Sequence, residues 1–490
     1  MAADGGADPA APLDPITEPE VADDHDPAVV APRPPRTVAS LAGLDDVRPL
    51  HQVARGWSWT PWLAGGLVLL RLLAVAGQRL YLYVDSGEYD RVDFSGDWRR
   101  PWATPYLYWL IPGGGREIVL GQAVVGALCW GALAFSAAAW FRLRWMQAAV
   151  AITIAALACT TIVTNWDAAK LSESLGLSLS VLVLAAWLNF ARRTEVLTAV
   201  WVAAATLPWL FVRQSLIPSA WLVVVAGGVI AVVVAVRAGR SSQPDRRRFA
   251  ARMLGLLCVV LALEVGLASA TYSHNQEIVH ENLLVIVANR VATNPGRLQW
   301  FEDHGMPVPI SGDLGPDSLR ADPAFSNWVA HEGRTTYARY LLTHPWYTAT
   351  APLGDFAGVR RSSADPPEKS IAMLAPPDSY SSVHPVLPSI VEQVLFEPGD
   401  TGTAIAGLVV VLGACLAFVR RRSARWTIPL LLIAISIASL YAGWHGATPE
   451  LGRLALVGAV GLRIGLLLQV AVLIEDAVVR RGTEPPAVTS

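Results

Sequence analysis

Charge is what this chain has least of. Only 16% of its 490 residues are Asp, Glu, Lys or Arg, where a soluble protein of that length carries about a quarter. Lysine is almost absent, occurring only at positions 170 and 369, so that nearly every cation is an arginine. That skew, with abundant alanine and valine, is what GC-rich bacterial coding produces, and it carries no functional information. The four cysteines, Cys129, Cys159, Cys258 and Cys415, all lie in apolar runs and show no CxxC spacing, which excludes a zinc framework or a disulfide scaffold. There is no HExxH, no P-loop and no GxGxxG, so neither a metalloprotease helix nor a nucleotide-driven pump nor a cytosolic nucleotide-sugar fold has support. No metal ligand set is expected, and no nucleic acid is expected among the partners.

What is abundant is apolar sequence, 53% of the chain, and it falls in runs of about 17–25 residues. At ~1.5 Å per residue such a run crosses roughly 30 Å of hydrocarbon. The runs lie near 59–80, 118–140, 147–164, 172–190, 196–212, 216–236, 252–271, 402–420, 426–443 and 453–475. They predict an all-α polytopic membrane protein with about ten transmembrane helices, an outer juxtamembrane helix and one extracytoplasmic domain. Residues 1–55 hold eight acids before the first arginine, Arg33, and read as a disordered cytoplasmic tail rather than a signal peptide. An N-terminal transmembrane module of about seven helices occupies 56–271, then an extracytoplasmic segment 272–401. A C-terminal module of about three helices spans 402–479, and 480–490 is a second cytoplasmic tail.

Orientation comes from the short loops. Arginines follow every even-numbered run: Arg142 and Arg144, Arg192 and Arg193, Arg237 to Arg252, Arg420 to Arg425, and Arg480 and Arg481. By the positive-inside rule both termini are cytoplasmic, in a bacterial plasma membrane, and the loops after odd-numbered runs face out. Trp57, Trp59, Trp62, Trp140, Trp145, Trp166 and Trp426 stand near the run ends, as an aromatic belt requires.

Candidate chemistry therefore gathers on the outer side. The first outer loop reads VDSGEYDRVDFSGDWRRPWATPYLYWLIP, with Asp85, Glu88, Asp90, Asp93 and Asp97 ahead of Arg99 and Arg100. Asp85 and Glu88 lie at the membrane boundary, where a carboxylate can take a proton from an acceptor while a lipid-borne donor stays in the bilayer. A solvated acidic loop is the plain alternative, and a divalent cation could sit among these acids. Lys170 and Glu173 (with Asp167) lie between the third and fourth runs, Arg213 between the fifth and sixth, and Arg453 (with His445 and Glu450) between the ninth and tenth. The planar guanidinium fork suits phosphate oxygens. Three ionisable residues lie inside runs, Arg71, Glu264 and Arg463. Their similar estimated depths predict that Glu264 pairs with Arg71 or Arg463, because unpaired charge in lipid costs at least about 2.5–3.5 kcal/mol.

With those residues in view, the chain resembles the GT-C superfamily of membrane glycosyltransferases, in the branch holding protein O-mannosyltransferases and the bacterial lipid A aminoarabinose transferase. LYVDSGEYDRV followed by RRPWATPYLYWLIP is similar to that family's acidic first outer loop and juxtamembrane helix. GREIVLGQAVVGALCWGALAF looks like its second span, KLSESLGLSLSVLVLAAWL like the segment with an acid heading the fourth, and LPWLFVRQSLIPSAWLVV like the stretch with an arginine ahead of a proline. The likeness covers residues 58–240, with an echo in GWHGATPELGRLALVGAVGLRIGL. The first loop departs from the family in having Asp85-Ser86-Gly87-Glu88 where an adjacent Asp-Glu pair is common, which leaves open which acid is the base.

The resemblance implies transfer of a sugar, with inversion, from a polyprenyl-phosphate-linked donor to an envelope glycan, lipid or protein acceptor at the outer face. Asp85, or else Glu88, would be the base, and Arg99, Arg100, Lys170, Glu173, Arg213 and Arg453 would bind the donor phosphate or substrate. Membrane lipids are the remaining expected partners, and the one cofactor the first outer loop could take is a divalent cation. Two other classes fit the composition: a lipid or glycan transporter or flippase using the buried charges, and a non-catalytic envelope assembly protein of the same fold. Substitution of the first-loop acids separates them, since only the transferase needs those acids.

Overall fold

The structure, a computed structural model, describes every residue except 1–59, 84, 96–97, 99, 239–243, 274–275, 309–313, 363–382, 397–398, 420–423, 447–450 and 482–490. Among the described residues there is no strand, and Tyr81 and Ala169 form an isolated parallel bridge. The described residues are all-α, as apolar runs long enough to cross a bilayer require.

The N-terminal helices are α1 (Thr60–Ala74), α2 (Ala103–Leu110), α3 (Gly115–Ala138), α4 (Arg144–Ala158), α5 (Glu173–Arg192), α6 (Val196–Leu210), α7 (Ile217–Ala238) and α8 (Pro244–Ser273). A group of shorter helices comes next: α9 (Gln276–Ile286), α10 (Pro295–Asp303), α11 (Pro316–Ala321), α12 (Pro323–Trp328), α13 (Arg334–Thr343), α14 (Pro345–Ser362) and α15 (Ser389–Phe396). Three long helices close the order: α16 (Gly399–Val419), α17 (Ala424–Gly446) and α18 (Leu451–Arg481). By length and composition, six helices among the described residues can cross a membrane, or seven if a pair bent by 52° after α4 is one span. α1, α6 and part of α16 are shorter apolar helices, so each of the ten apolar runs in the sequence lies on a helix or on the bent pair.

The starts of these helices are chemically specified. Glu117, in the first turn of α3, accepts the Gly114 N–H at 2.8 Å, meeting one of the donors a helix start leaves over. Asn294 and Asp322 cap α10 and α12 from positions just ahead of a proline. The central helix is α3, packed against α1, α4 and α5. Trp130, Leu133, Ile154, Leu157, Trp166 and Leu171 are fully buried at that junction. Gly126 of α3 faces the Arg71 guanidinium, and a Cβ there would stand 2.5 Å from its Nη2. A glycine is what lets a charged group pack flat against this helix.

The 52° bend after α4 sets the path of the chain into α5. The helix stops at Cys159, and a short turn, Thr161–Thr164, runs into a 3-10 segment, Asn165–Ala168. The free N–H of Thr161 and its hydroxyl are both taken by Glu392 of α15, at 2.5 and 2.8 Å. The residues just before α15 are held in the same way, with Val383 N–H on the Asn165 side chain at 3.0 Å and His384 N–H on the Ala74 carbonyl at 2.8 Å. The stretch 383–396 thus closes orphan backbone groups at the ends of the apolar helices. Residues from α9 to α13 build a second apolar centre around Phe301, Phe325, Trp328 and Leu284. It is tied to the end of α17, where Arg290 lies 3.7 Å over the Trp444 ring and Tyr337 donates to the His445 carbonyl at 3.2 Å.

Candidate functional site

The site begins with the loop after α1. The Tyr81 N–H donates to the Ala168 carbonyl at 2.7 Å, and the Tyr81 carbonyl accepts from the Lys170 N–H at 3.0 Å. Ser86 then folds the loop into a 3-10 turn, Ser86–Tyr89, its hydroxyl accepting from Tyr83 N–H at 2.6 Å and donating to the Lys170 carbonyl at 3.0 Å. This turn delivers Asp85 and Glu88 to the same side. Arg100, just ahead of α2, reaches both: its Nη2 lies 2.8 Å from Asp85 and its Nε 2.5 Å from Glu88.

Three residues distant in sequence complete the group. Arg453, in the first turn of α18, places Nη2 3.2 Å from the same Asp85 oxygen and Nε 2.5 Å from Glu173, the first residue of α5. Arg213 adds Nη2 at 3.3 Å from Glu173 and donates to the Arg453 carbonyl at 3.1 Å. Three carboxylates and three guanidiniums alternate through Glu88, Arg100, Asp85, Arg453, Glu173 and Arg213, drawn from four places in the sequence. Glu173 is fully buried and Arg453 nearly so, while the Asp85 side chain keeps 17% of its surface. Taking six charges out of water is tolerable only because each faces an opposite one.

An aromatic wall backs the group. Arg100 lies 5.3 Å over the Tyr89 ring, a cation–π contact. Tyr89 donates to Ser172 at 3.3 Å, and Tyr108 of α2 donates to the Leu171 carbonyl at 2.7 Å. Burial, the largest influence on each, pushes both phenols up from their ordinary value, so they stay protonated donors. Gln122 of α3 holds the backbone behind them, donating to the carbonyls of Asp167 and Ala169 at 3.0 Å each.

The sequence expectations meet this geometry unevenly. Asp85, Glu88, Arg100, Glu173, Arg213 and Arg453 are brought together. Lys170 is not in the group: it pairs with Asp90 and lines a separate cleft. Arg99 and Glu450 lie outside the described residues. The guanidinium of Arg100 stands between Asp85 and Glu88. Among the described residues no cluster of three His, Cys, Asp or Glu side chains could hold a metal.

The expected pairing of Glu264 is corrected. The partner of Arg71 is Asp167, and its Nη1 also donates to the Ala158 carbonyl at 2.8 Å. Arg463 reaches the Leu395 carbonyl at 2.6 Å and lies 4.2 Å over the Phe396 ring. Glu264 pairs with neither, and its Oε2 has no hydrogen-bond partner among the described residues. Depth along a helix, which the sequence supplies, says nothing about position around the bundle, and α8 packs on α6 and α7. Asp167 reads as a loop residue from sequence, yet the bend carries it to the buried face of Arg71, where Ser174 donates to its other oxygen at 2.5 Å. The sequence does hold a signal for it: an acid close behind an apolar run, in a chain with an intramembrane arginine to neutralise.

No family model matches the chain, and no curated protein matches it. Among solved structures it is similar to the archaeal oligosaccharyltransferase AglB from Archaeoglobus fulgidus, solved with an inhibitory peptide and a dolichol-phosphate, at 12% identity and a TM-score of 0.42 over 88% of this chain. The chain spans about half the length of that protein, 52% of it.

Proposed function

We propose that this chain is an integral membrane glycosyltransferase that moves a sugar from a polyprenyl-phosphate donor to a cell-envelope acceptor, with Asp85 as general base. The observation that carries the reading is the alternating network at one end of the helices. Of its two carboxylates held by Arg453, Asp85 keeps accessible surface and Glu173 has none. A partly exposed carboxylate can meet an acceptor hydroxyl directly, whereas a fully buried one is placed first of all to orient its arginines.

The chemistry balances with these groups alone. Asp85 takes the acceptor hydroxyl proton as that oxygen attacks the anomeric carbon from the face opposite the phosphate. The bond from the anomeric carbon to the phosphate oxygen breaks, and its electron pair leaves on the polyprenyl phosphate. Arg100 and Arg453, with Arg213 behind them, receive that charge, exchanging carboxylate for phosphate oxygens as bidentate donors. No general acid is needed, since a phosphate is already a competent leaving group, and no step is routed through a metal. The side of the membrane comes from the arginine pattern: the network faces out of a bacterial plasma membrane and both termini lie inside.

The test is Asp85→Asn, assayed with labelled polyprenyl-phosphate sugar in membranes at matched protein level. A loss of about 10²–10⁴-fold is expected, the usual share of general-base catalysis. Glu88→Gln should lose less, because Glu88 faces Arg100 whereas Asp85 faces both Arg100 and Arg453. Activity of Asp85→Asn within about threefold of wild type would move the base to Glu88 or Glu173. Full activity in all three single variants would overturn the transferase reading and leave a transporter or a non-catalytic assembly protein.

A further inference from the structure

Behind the aromatic wall lies a second, differently built site. A cleft of about 910 Å³ opens between the loop after α1, helix α2 and the start of α3. It shares Tyr89 and Tyr108 with the network's surroundings but none of the network's charged residues. Three cations line it, Arg79, Arg116 and Lys170, against the single acid Asp90. Asp90 is already taken by Lys170. Arg79 and Arg116 are exposed and form no ion pair with any described residue. Two rim positions, Gly77 and Gly113, hold positive φ angles of 75° and 112°, a conformation other residues rarely adopt, and the Glu117 side chain packs against Gly113 with its carboxylate engaged by the Gly114 N–H at 2.8 Å.

Tyr108 is also the boundary of a second cavity of about 350 Å³ that runs between α2 and α3. Leu107, Leu110, Ile111, Leu120, Val124 and Val125 line that groove, and it is almost wholly apolar. Its flank is the exposed apolar surface of Trp109, Leu110, Val124 and Leu128, the face a membrane helix turns to lipid. A cationic cleft and an apolar groove therefore adjoin at Tyr108, the groove lying against the long apolar helix α3. A soluble anion would need only the first part, and an uncharged lipid only the second.

We infer that this cleft and groove bind an anionic membrane lipid, its phosphate headgroup held by Arg79, Arg116 and Lys170 and one acyl chain lying between α2 and α3. This site is separate from the donor phosphate position in the network, and the inference does not depend on the transferase reading: a chain with no transferase activity would still select the lipid. Tyr108 joins the two sites physically, since it contacts Gln122 at 3.3 Å and the Leu171 carbonyl at 2.7 Å behind the network.

The test uses the full-length protein purified in detergent and titrated with phosphatidylglycerol and with phosphatidylcholine of the same acyl chains, read by native mass spectrometry. Phosphatidylglycerol is expected to bind at least about tenfold more tightly. The double variant Arg79→Gln with Arg116→Gln should lose roughly fivefold per arginine, because a basic residue near anionic lipid contributes about 1 kcal/mol. Val124→Trp, which fills the groove and leaves every cation in place, should weaken the same lipid independently. Equal affinity for the two lipids, or unchanged binding in both variants, overturns the proposal. Free glycerol phosphate binding as tightly as the lipid would also overturn it, in favour of a soluble phosphate ligand.

Discussion

Glu173 carries two arginines on one oxygen. Its Oε1 lies 2.5 Å from Arg453 and 3.3 Å from Arg213, and its Oε2 is buried with no hydrogen-bond partner among the described residues. Removing that charge takes from Arg213 and Arg453 the buried acid they share. Breaking a buried pair by deleting one partner costs about 3–5 kcal/mol, so Glu173→Gln should unfold markedly earlier than wild type when heated in detergent. Asp85→Asn should behave otherwise, because Asp85 is partly exposed and its turn is held by Ser86 rather than by its own charge. The pair of variants separates an orienting acid from a reacting one. Equal melting of Glu173→Gln and wild type would mean that the network is not a supporting element.

Helices α17 and α18 show how closely backbone can approach when side chains are withdrawn. Gly458, Gly461 and Gly465 repeat at three and four residues, which places them on one face of α18. A Cβ at Gly465 would stand 2.7 Å from Ile433 Cγ1, 3.2 Å from its backbone nitrogen and 3.3 Å from the Pro429 carbonyl. Small residues at such crossings are what van der Waals association between membrane helices depends on. Gly465→Ala should therefore cost about 1–3 kcal/mol by overpacking, seen as a lower melting temperature in detergent. The consequence reaches the site, since α18 also carries Arg453. A Gly465→Ala protein that melts normally would mean that α17 can shift to make room, and that the crossing does not register Arg453.

Across the whole molecule, α18 measures the distance between two polar ends. Arg453 joins the network in its first turn, and Glu475 accepts the N–H groups of Arg142 and Leu143 at 2.5 and 2.8 Å. About 22 residues apart, they are separated by roughly 33 Å of helix, close to the thickness of a hydrocarbon core. Arg142 is one of the arginines that the positive-inside rule expects in the cytoplasm, and on that expectation the network lies on the opposite face. In a cysteine-free background, a cysteine at Thr335 should react with an impermeant reagent from outside intact cells. One at Arg248 should react only after the membrane is opened. The reverse pattern would invert the assignment and place the proposed reaction inside the cell.

Much of this architecture is written in the chain itself. Runs of apolar residues long enough to cross a bilayer determine an all-α membrane fold, because a backbone in lipid must satisfy its own hydrogen bonds. Arginines at alternate loops indicate which residues share a side, and that is enough to group Asp85, Glu88, Arg100, Glu173, Arg213 and Arg453. Partners are not legible in the same way. Asp167 rather than Glu264 neutralises Arg71, and Lys170 stands apart from the other cations, because pairing depends on which way each helix is rotated and where one of them bends. The stretch 383–396 reads as the tail of an outer segment, yet Glu392 caps a broken helix and Leu395 receives Arg463. Sequence determines height in the membrane through hydrophobic length. Only tertiary packing decides azimuth, and azimuth is what puts two charges within reach of each other.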